Sequence, residues 1–91
     1  MNNIDYESRH DPVEWKRAKW ELYRWQYGPS ATNFTVQLYD LIAKADPGNR
    51  FRLHAGFPVN CECYFAWEQA ADPFEFFSDL VTSPVNREIA K

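Results

Sequence analysis

The chain contains three Asp-Pro dipeptides, each of which precedes a stretch with helical periodicity. An aspartate can accept hydrogen bonds from the first free amides of a helix, and proline suits the first helical position because it lacks an N–H. The dipeptides are Asp11-Pro12, Asp46-Pro47 and Asp72-Pro73. No clean alternation of apolar and polar residues runs between the turn signals, so strands are not expected. The sequence therefore predicts an all-α fold, a compact single-domain bundle of four to five short helices with Asp-Pro helix starts.

Turn signals and apolar spacing define the first two helices. The first is expected to run from Pro12 to Tyr27 and to stop at a Gly-Pro pair, since the proline cannot continue it. The second is expected to follow a cap at Ser30 or Thr32 and to end near Ala45. Its predicted core stripe consists of Phe34, Leu38, Leu41, Ile42 and Ala45.

The remaining helices are predicted to be shorter. The third is expected to run from Pro47 to Ala55, with Gly56 at positive φ after it. The fourth should bury one stripe while Glu62 and Gln69 face water. That stripe consists of Val59, Cys63, Ala66, Trp67 and Ala70, with Cys61 and Phe65 beside it. The core residues expected from the last helix are Phe74, Phe77, Leu80 and Val81.

Length and composition indicate one domain, residues 1–91, rich in aromatic side chains, which make up 18% of the chain. Segments 1–10 and 84–91 are expected to be loose ends, although Ile4 and Tyr6 are able to dock on the body.

The net charge of −3 disfavours a generic nucleic-acid binder, which usually has a basic excess. No apolar run approaches the roughly 20 residues of a membrane span, and the first residues lack an apolar signal segment. A cytoplasmic location, in a host cell, is therefore expected.

The first predicted helix has two apolar sectors. The expected core stripe consists of Trp15, Ala18, Leu22 and Trp25. The second sector comprises Lys16, Trp20, Tyr23 and Tyr27, with Val13 beside it. A ladder of alternating charge is expected to face water, made of Glu14, Arg17, Glu21 and Arg24. Either the helix is sandwiched inside its own domain or the second sector contacts a partner. Tryptophan and tyrosine are frequent binding hot spots, so the second sector is the predicted partner-binding surface.

A polar cluster at the start of the third helix is the other candidate surface. Asn49, Arg50 and Arg52 together can bind a carboxylate or phosphate group of a partner. The alternative is structural, with Asp46 capping the helix and forming an ion pair with Arg50 four residues later. The sequence leaves both interpretations open.

No motif in the sequence indicates a catalytic, metal or cofactor site. Cys61 and Cys63 lie two residues apart, so on a helix they point in nearly opposite directions and cannot form a disulfide. They also lack the spacing of a zinc site and are predicted to be small residues in or beside the core. His54 has no supporting acid, cysteine or histidine nearby in sequence, and His10 falls in the predicted loose end. A non-enzymatic protein without a cofactor is expected.

One motif, LxxLIxKADxxNRxRLxxGFP, extends over about a third of the chain when the aromatic-rich helix after it is included. Its residues are Leu38, Leu41, Ile42, Lys44, Ala45, Asp46, Asn49, Arg50, Arg52, Leu53, Gly56, Phe57 and Pro58, followed by Tyr64 and Trp67. This segment resembles small proteins of unknown role encoded by phages and prophages. The resemblance implies a mobile-element source, where small acidic proteins often act by binding a host or phage machine.

The expected function is therefore a phage-type protein–protein interaction, with a host or phage protein or with itself. Such a protein can inhibit or redirect a host complex, including a defence system. The alternative is a nucleic-acid-associated accessory or regulatory factor. It is suggested by the basic side chains of the first helix beside Trp20 and Tyr23, which resemble a stacking surface for single strands.

Overall fold

The structure is a computed structural model that describes residues 4–28 and 33–82, with side chains described up to residue 80. In chain order its helices are α1 (Pro12–Tyr27), α2 (Phe34–Lys44), α3 (Pro47–Gly56), α4 (Pro58–Gln69) and α5 (Ser78–Thr82). Two 3-10 turns lie at Glu7–Arg9 and Glu75–Phe77. No strand occurs in the described ranges, so the predicted all-α class with four to five short helices is confirmed.

All three Asp-Pro steps begin helical segments, as predicted. Asp11 accepts hydrogen bonds from two amides of the first turn of α1, at 3.0 and 3.1 Å. Asp46 accepts one from the amide of Asn49 at 2.8 Å. Asp72 accepts bonds from the amides two and three residues later, at 3.0 and 3.2 Å, where a 3-10 turn leads into α5. The aspartates satisfy donors that have no partner inside the helix.

The cap of α2 is Asn33, whose side chain accepts a hydrogen bond from the amide of Val36 at 2.9 Å. The predicted caps, Ser30 and Thr32, lie outside the described residues. Asparagine belongs to the same group of short polar capping residues. The cap of α2 is therefore of the predicted residue type but lies later in the chain than predicted.

The core face of α2 differs from the predicted stripe. Phe34 and Leu41 are 67% and 51% exposed, so their assignment to the core was wrong. The buried side chains of α2 are Val36, Leu38, Tyr39 and Ile42. Tyr39 donates its hydroxyl proton to the carbonyl of Ala18 at 2.8 Å. A tyrosine can be buried when its hydroxyl has such a partner, so α2 turns this ring inward and Phe34 outward.

The central element of the fold is α1. It packs against α2 and α4 on the side that bears Trp15, Ala18 and Leu22, which are buried as predicted, while Trp25, the fourth residue of the predicted core stripe, is half-buried. Phe77, which is 1% exposed, contacts the opposite side of α1 through Tyr23, with ring centroids 5.3 Å apart. The helix is therefore sandwiched between two layers of its own domain.

The C-terminal segment only partly follows the predicted core assignment. Phe77 and Leu80 are each 1% exposed, as expected. Phe74 is 60% exposed, which contradicts its assignment to the core. Phe74 instead packs edge-on against Tyr27 at 5.6 Å, and because Tyr27 is itself 45% exposed, this contact lies at the surface rather than in the core. The side chain of Val81 and residues 84–91 lie outside the described part of the chain.

The corner between α3 and α4 does not use a left-handed glycine. None of the three glycines has a positive φ, so the prediction for Gly56 was wrong. Gly56 is instead the last residue of α3, and Phe57 turns the chain with φ −136° and ψ 65°. The amide of Phe57 donates to the carbonyl of Leu53 at 2.7 Å, which closes the last turn before proline starts α4.

The N-terminal segment 4–10 lies against α4 rather than extending away from the domain. Gln69 exchanges two hydrogen bonds with the backbone of Ile4, at 2.7 and 3.4 Å, and the Tyr6 ring packs 6.0 Å from the ring of Phe65. Gln69 was expected to face water, but its side chain instead binds the backbone of Ile4. No helix in the described ranges is both long enough and apolar enough to cross a membrane.

Candidate functional site

Glu62 is a buried carboxylate on α4, although the helical spacing of the sequence predicts a position that faces water. The residue is 5% exposed, and three donors from two other segments bind it. Nε2 of His10 lies 2.8 Å from Oε1, and Nε2 of His54 lies 2.7 Å from Oε2. Nη1 of Arg9 lies 3.2 Å from Oε2. The carboxylate thus joins α4 to α3 and to the N-terminal segment.

Ring contacts hold both histidines beside Glu62. The ring of His10 stacks on Trp15 with centroids 5.7 Å apart and an interplanar angle of 12°. The ring of His54 meets Phe65 edge-on at 5.8 Å. Since an ionised carboxylate can only accept hydrogen bonds, each imidazole carries its Nε2 proton toward Glu62.

The environment of Glu62 acts on its pKa in opposite directions. Burial alone raises the pKa, but the hydrogen bonds from His10 and His54 and the charge of Arg9 outweigh it, so the pKa lies below its usual value of 4.5. Glu62 is therefore ionised at neutral pH. Its oxygens already accept three hydrogen bonds, so the arrangement serves to connect segments rather than to offer a free base.

The Glu62 cluster does not form a metal centre. The two imidazoles bind different carboxylate oxygens, and the Arg9 guanidinium places a positive charge where a cation would have to sit. Across residues 4–28 and 33–80, no group of three or more His, Cys, Asp or Glu side chains is arranged to hold a metal ion.

Cys61 and Cys63 flank Glu62 and are free, fully buried thiols. Their predicted place in or beside the core is confirmed. Burial raises the pKa of Cys61 to about 11 and that of Cys63 to about 12. Both thiols are therefore protonated at neutral pH, and they act as small apolar groups rather than as nucleophiles.

Arg50 has a structural role in the packing of α3 on α4. Its guanidinium lies 3.2 Å from the carboxylate of Glu68, and its Nε donates to the carbonyl of Ile42 at 3.1 Å. It also lies over the ring of Tyr64, 5.4 Å from the centroid. The predicted cap by Asp46 is present, but the ion-pair partner of Arg50 is Glu68 on α4 rather than Asp46.

The outer face of α3, defined by Asn49, Phe51 and Arg52, is open to solvent. No residue of α3 is buried, and Phe51 is 75% exposed, the highest value among the large exposed hydrophobic side chains of the described chain. Arg52 donates a hydrogen bond to the side chain of Asn49 at 3.2 Å. The predicted cluster is thus divided, because Asn49 and Arg52 face outward while Arg50 faces α4.

Sequence reasoning missed Phe51 as a surface residue. An available signal was its position between two arginines in a ten-residue helix that also contains two glycines and has little apolar periodicity. With so few apolar positions, α3 is expected to pack one edge against the core and to expose its other side chains to solvent.

The aromatic sector of α1 makes contacts within the domain. Tyr23 packs on Phe77 at 5.3 Å, and Tyr27 meets Phe74 at 5.6 Å and Phe77 at 5.9 Å. Trp20 contacts Tyr23 at 5.8 Å and is half-buried. Lys16, also half-buried, completes the predicted surface. Of its aromatic rings only Tyr27, at 45% exposed, presents more than a third of its surface to solvent.

A cleft of about 470 Å³ opens between α1, the start of α2 and the corner between α3 and α4. Its lining residues are Glu14, Arg17, Ala18, Glu21, Thr35, Gly56, Phe57, Pro58, Val59 and Asn60. The α1 wall of the cleft is charged, and the corner supplies an apolar wall. Phe34 extends the apolar wall, since its ring lies 5.7 Å from that of Phe57.

Comparisons with protein-family models, with curated proteins and with solved structures return no match for this chain.

Proposed function

We propose that this is a non-enzymatic interaction protein of the phage type, which binds a protein through the outer face of α3. The observation that carries the proposal is the 75% exposure of Phe51 on a helix without a buried residue. Leaving a phenylalanine ring in water gives up the roughly 1.5–3 kcal/mol that its burial would contribute to folding. Contact with a partner recovers that stabilisation.

The neighbours of Phe51 are of the types that are frequent in interfaces. Aromatic residues and arginine are enriched at protein–protein interfaces, and arginine is a common hot spot. Arg52 binds only the neutral amide of Asn49 among the described residues, so its charge is available to a carboxylate. Arg50, by contrast, already has Glu68 as its partner.

The resemblance to phage and prophage proteins supports a partner within a host or phage complex, and inhibition of a defence system is a candidate role. The nucleic-acid alternative has less support, because two basic side chains of α1 have acidic neighbours. Lys19 lies 3.1 Å from Asp79, and Arg24 lies 3.8 Å from Glu21. The overall charge of −3 also opposes binding to a polyanion.

Site-specific photo-crosslinking tests the proposal. A photoreactive phenylalanine analogue is placed at position 51 and, as a matched control, at position 74, where Phe74 is 60% exposed but contacts Tyr27. Irradiation in bacterial lysate, with and without nuclease, should give a protein adduct from position 51 that resists nuclease. No adduct, equal adducts from both positions, or loss of the adduct with nuclease would contradict binding of a protein by this face.

Substitution of Phe51 should leave folding intact. Phe51→Ala is expected to change the free energy of unfolding by no more than about 0.5 kcal/mol, as for other surface sites. Phe77→Ala should reduce it by about 3–5 kcal/mol, because Phe77 is 1% exposed. Urea titrations of both variants check that any binding defect of Phe51→Ala arises at the surface.

A further inference from the structure

Two complementary surfaces lie next to each other on this molecule. One is the outer face of α3, which presents an exposed ring and a guanidinium that has no acidic neighbour among the described residues. The other is the cleft between α1 and the corner of α3 and α4, which combines carboxylates with an apolar wall. Gly56 and Phe57 line the cleft and directly follow α3. Phe51 precedes Gly56 by five residues, or about 7.5 Å along the helix.

The charged wall of the cleft favours a cation. Glu14 and Glu21 supply two carboxylates and Arg17 one guanidinium, which leaves a net charge of −1 in the cleft. Oε1 of Glu21 is buried and lies 3.8 Å from the guanidinium of Arg24, whereas the exposed Glu14 forms no ion pair with any described residue. A guanidinium entering beside α1 would therefore meet the carboxylate of Glu14, which can still accept hydrogen bonds.

The apolar wall has room for an aromatic ring. Phe57, Pro58 and Val59 line it, and Phe34 at the rim is 67% exposed. The cleft volume of about 470 Å³ lies in the range of roughly 300–1,000 Å³ typical of sites that enclose a small ligand. Two side chains fit within such a volume.

We propose that the outer face of α3 binds the cleft of a second copy of this chain, with Phe51 against the apolar wall and Arg52 beside Glu14. If the two surfaces pair about a two-fold axis, each α3 lies in the cleft of the other copy and every contact occurs twice. The inference rests on the proposed function, since it identifies the protein that the α3 face binds.

Analytical ultracentrifugation of the purified protein tests the oligomeric state. From about 1 µM to 1 mM the wild type should show a concentration-dependent monomer–dimer equilibrium, with a dissociation constant on the order of 1–100 µM. Phe51→Ala and Arg52→Glu should each raise that constant at least tenfold. Lys44→Glu reverses an exposed charge on α2 outside both surfaces and should leave the constant within threefold of the wild-type value.

Reversing charges on both surfaces provides the decisive measurement. Arg52→Glu and Glu14→Arg should each be largely monomeric, because each places like charges together. When the two variants are mixed, both contacts of the mixed dimer again join opposite charges. The mixture should therefore associate within about threefold of the wild-type constant. A mixture that stays monomeric would overturn the proposal, as would a wild type that is monomeric at 1 mM or a dimer insensitive to both α3 variants.

Crosslinking from position 51 separates this inference from the proposed function. An adduct between two copies that maps to residues 57–60 supports both. An adduct with a different protein, together with a monomeric purified chain, supports the proposed function and overturns self-association. If position 51 gives no protein adduct and the chain is monomeric, both are overturned.

Discussion

Nε2 of His54 on α3 lies 2.7 Å from Oε2 of Glu62 on α4, and the same carboxylate binds His10 from the N-terminal segment. This relationship determines how α3 is held. The helix has no buried residue, so its attachment depends on polar links from its inner edge together with half-buried contacts such as Leu53. The second polar link joins Arg50 to Glu68. An inner edge held in this way leaves Phe51 and Arg52 free to face outward.

Glu62→Gln should lower the free energy of unfolding by about 1–3 kcal/mol, because the amide loses the charge and turns a donor toward groups that are themselves donors. Glu68→Gln is the matched control. Its side chain is 41% exposed, so loss of its ion pair should cost less than about 1 kcal/mol. Urea denaturation of both variants measures the difference, and equal losses would contradict a special role for the buried carboxylate.

Acid should remove the contribution of Glu62. Its pKa is lowered in the folded protein, because the donors around the carboxylate outweigh the effect of burial, so the unfolded chain binds a proton at higher pH than the native one. The stabilisation is therefore present above the usual value of 4.5 and is lost as the pH falls through the lower folded pKa. The stability difference between wild type and Glu62→Gln should shrink below about pH 4.5. A difference independent of pH between 7 and 3 would argue against this assignment.

Gly28 and Gly56 should respond differently to alanine. A Cβ at Gly28 would lie 2.6 Å from the carbonyl oxygen of Arg24, so Gly28→Ala should destabilise the protein by about 1–3 kcal/mol. A Cβ at Gly56 meets nothing within 4 Å, and this residue is helical. Gly56→Ala should therefore be neutral or stabilising by up to about 1 kcal/mol. Thermal melts of the two variants side by side check which of them is less stable. A larger loss of stability in Gly56→Ala would show that the corner is strained.

Cys61 and Cys63 should resist modification in the native protein. Burial raises the pKa values of their thiols to about 11 and about 12, so little thiolate exists at pH 8. Reaction with a disulfide reagent should be slower than in denaturant by ~10²-fold or more, because it requires opening of the core. Absorbance of the released thiolate measures the rate. Rapid labelling of either cysteine without denaturant would contradict its buried position.

The same thiols should weaken the protein in alkali. Their folded pKa values exceed the unfolded value of 9.0, so the stability that they contribute is full below pH 9.0 and is lost as the pH rises toward 11 and 12. A Cys61→Ala, Cys63→Ala double variant should lose less stability than the wild type between pH 8 and 11. Equal losses of stability in the wild type and the double variant would show that other groups cause the alkaline transition.

Local chemistry in the sequence determined where the helices begin and what class of fold results. Asp11, Asp46 and Asp72 accept hydrogen bonds from amides that follow within three residues, so each start could be predicted from a few adjacent letters. The core stripe of α1 was also predictable, because apolar residues at helical spacing share one face whatever the helix packs against. These features depend on contacts within one turn or on helical geometry alone.

Tertiary structure decided which of several possible faces is buried and which charges meet. Phe34 and Tyr39 are both able to face a core, and the hydrogen bond from Tyr39 to the carbonyl of Ala18, 21 residues away in the chain, favours the tyrosine. Glu62 is buried because donors 52 and eight residues away converge on it. The periodicity of a single helix contains no information about such distant partners, so it could not predict the buried carboxylate.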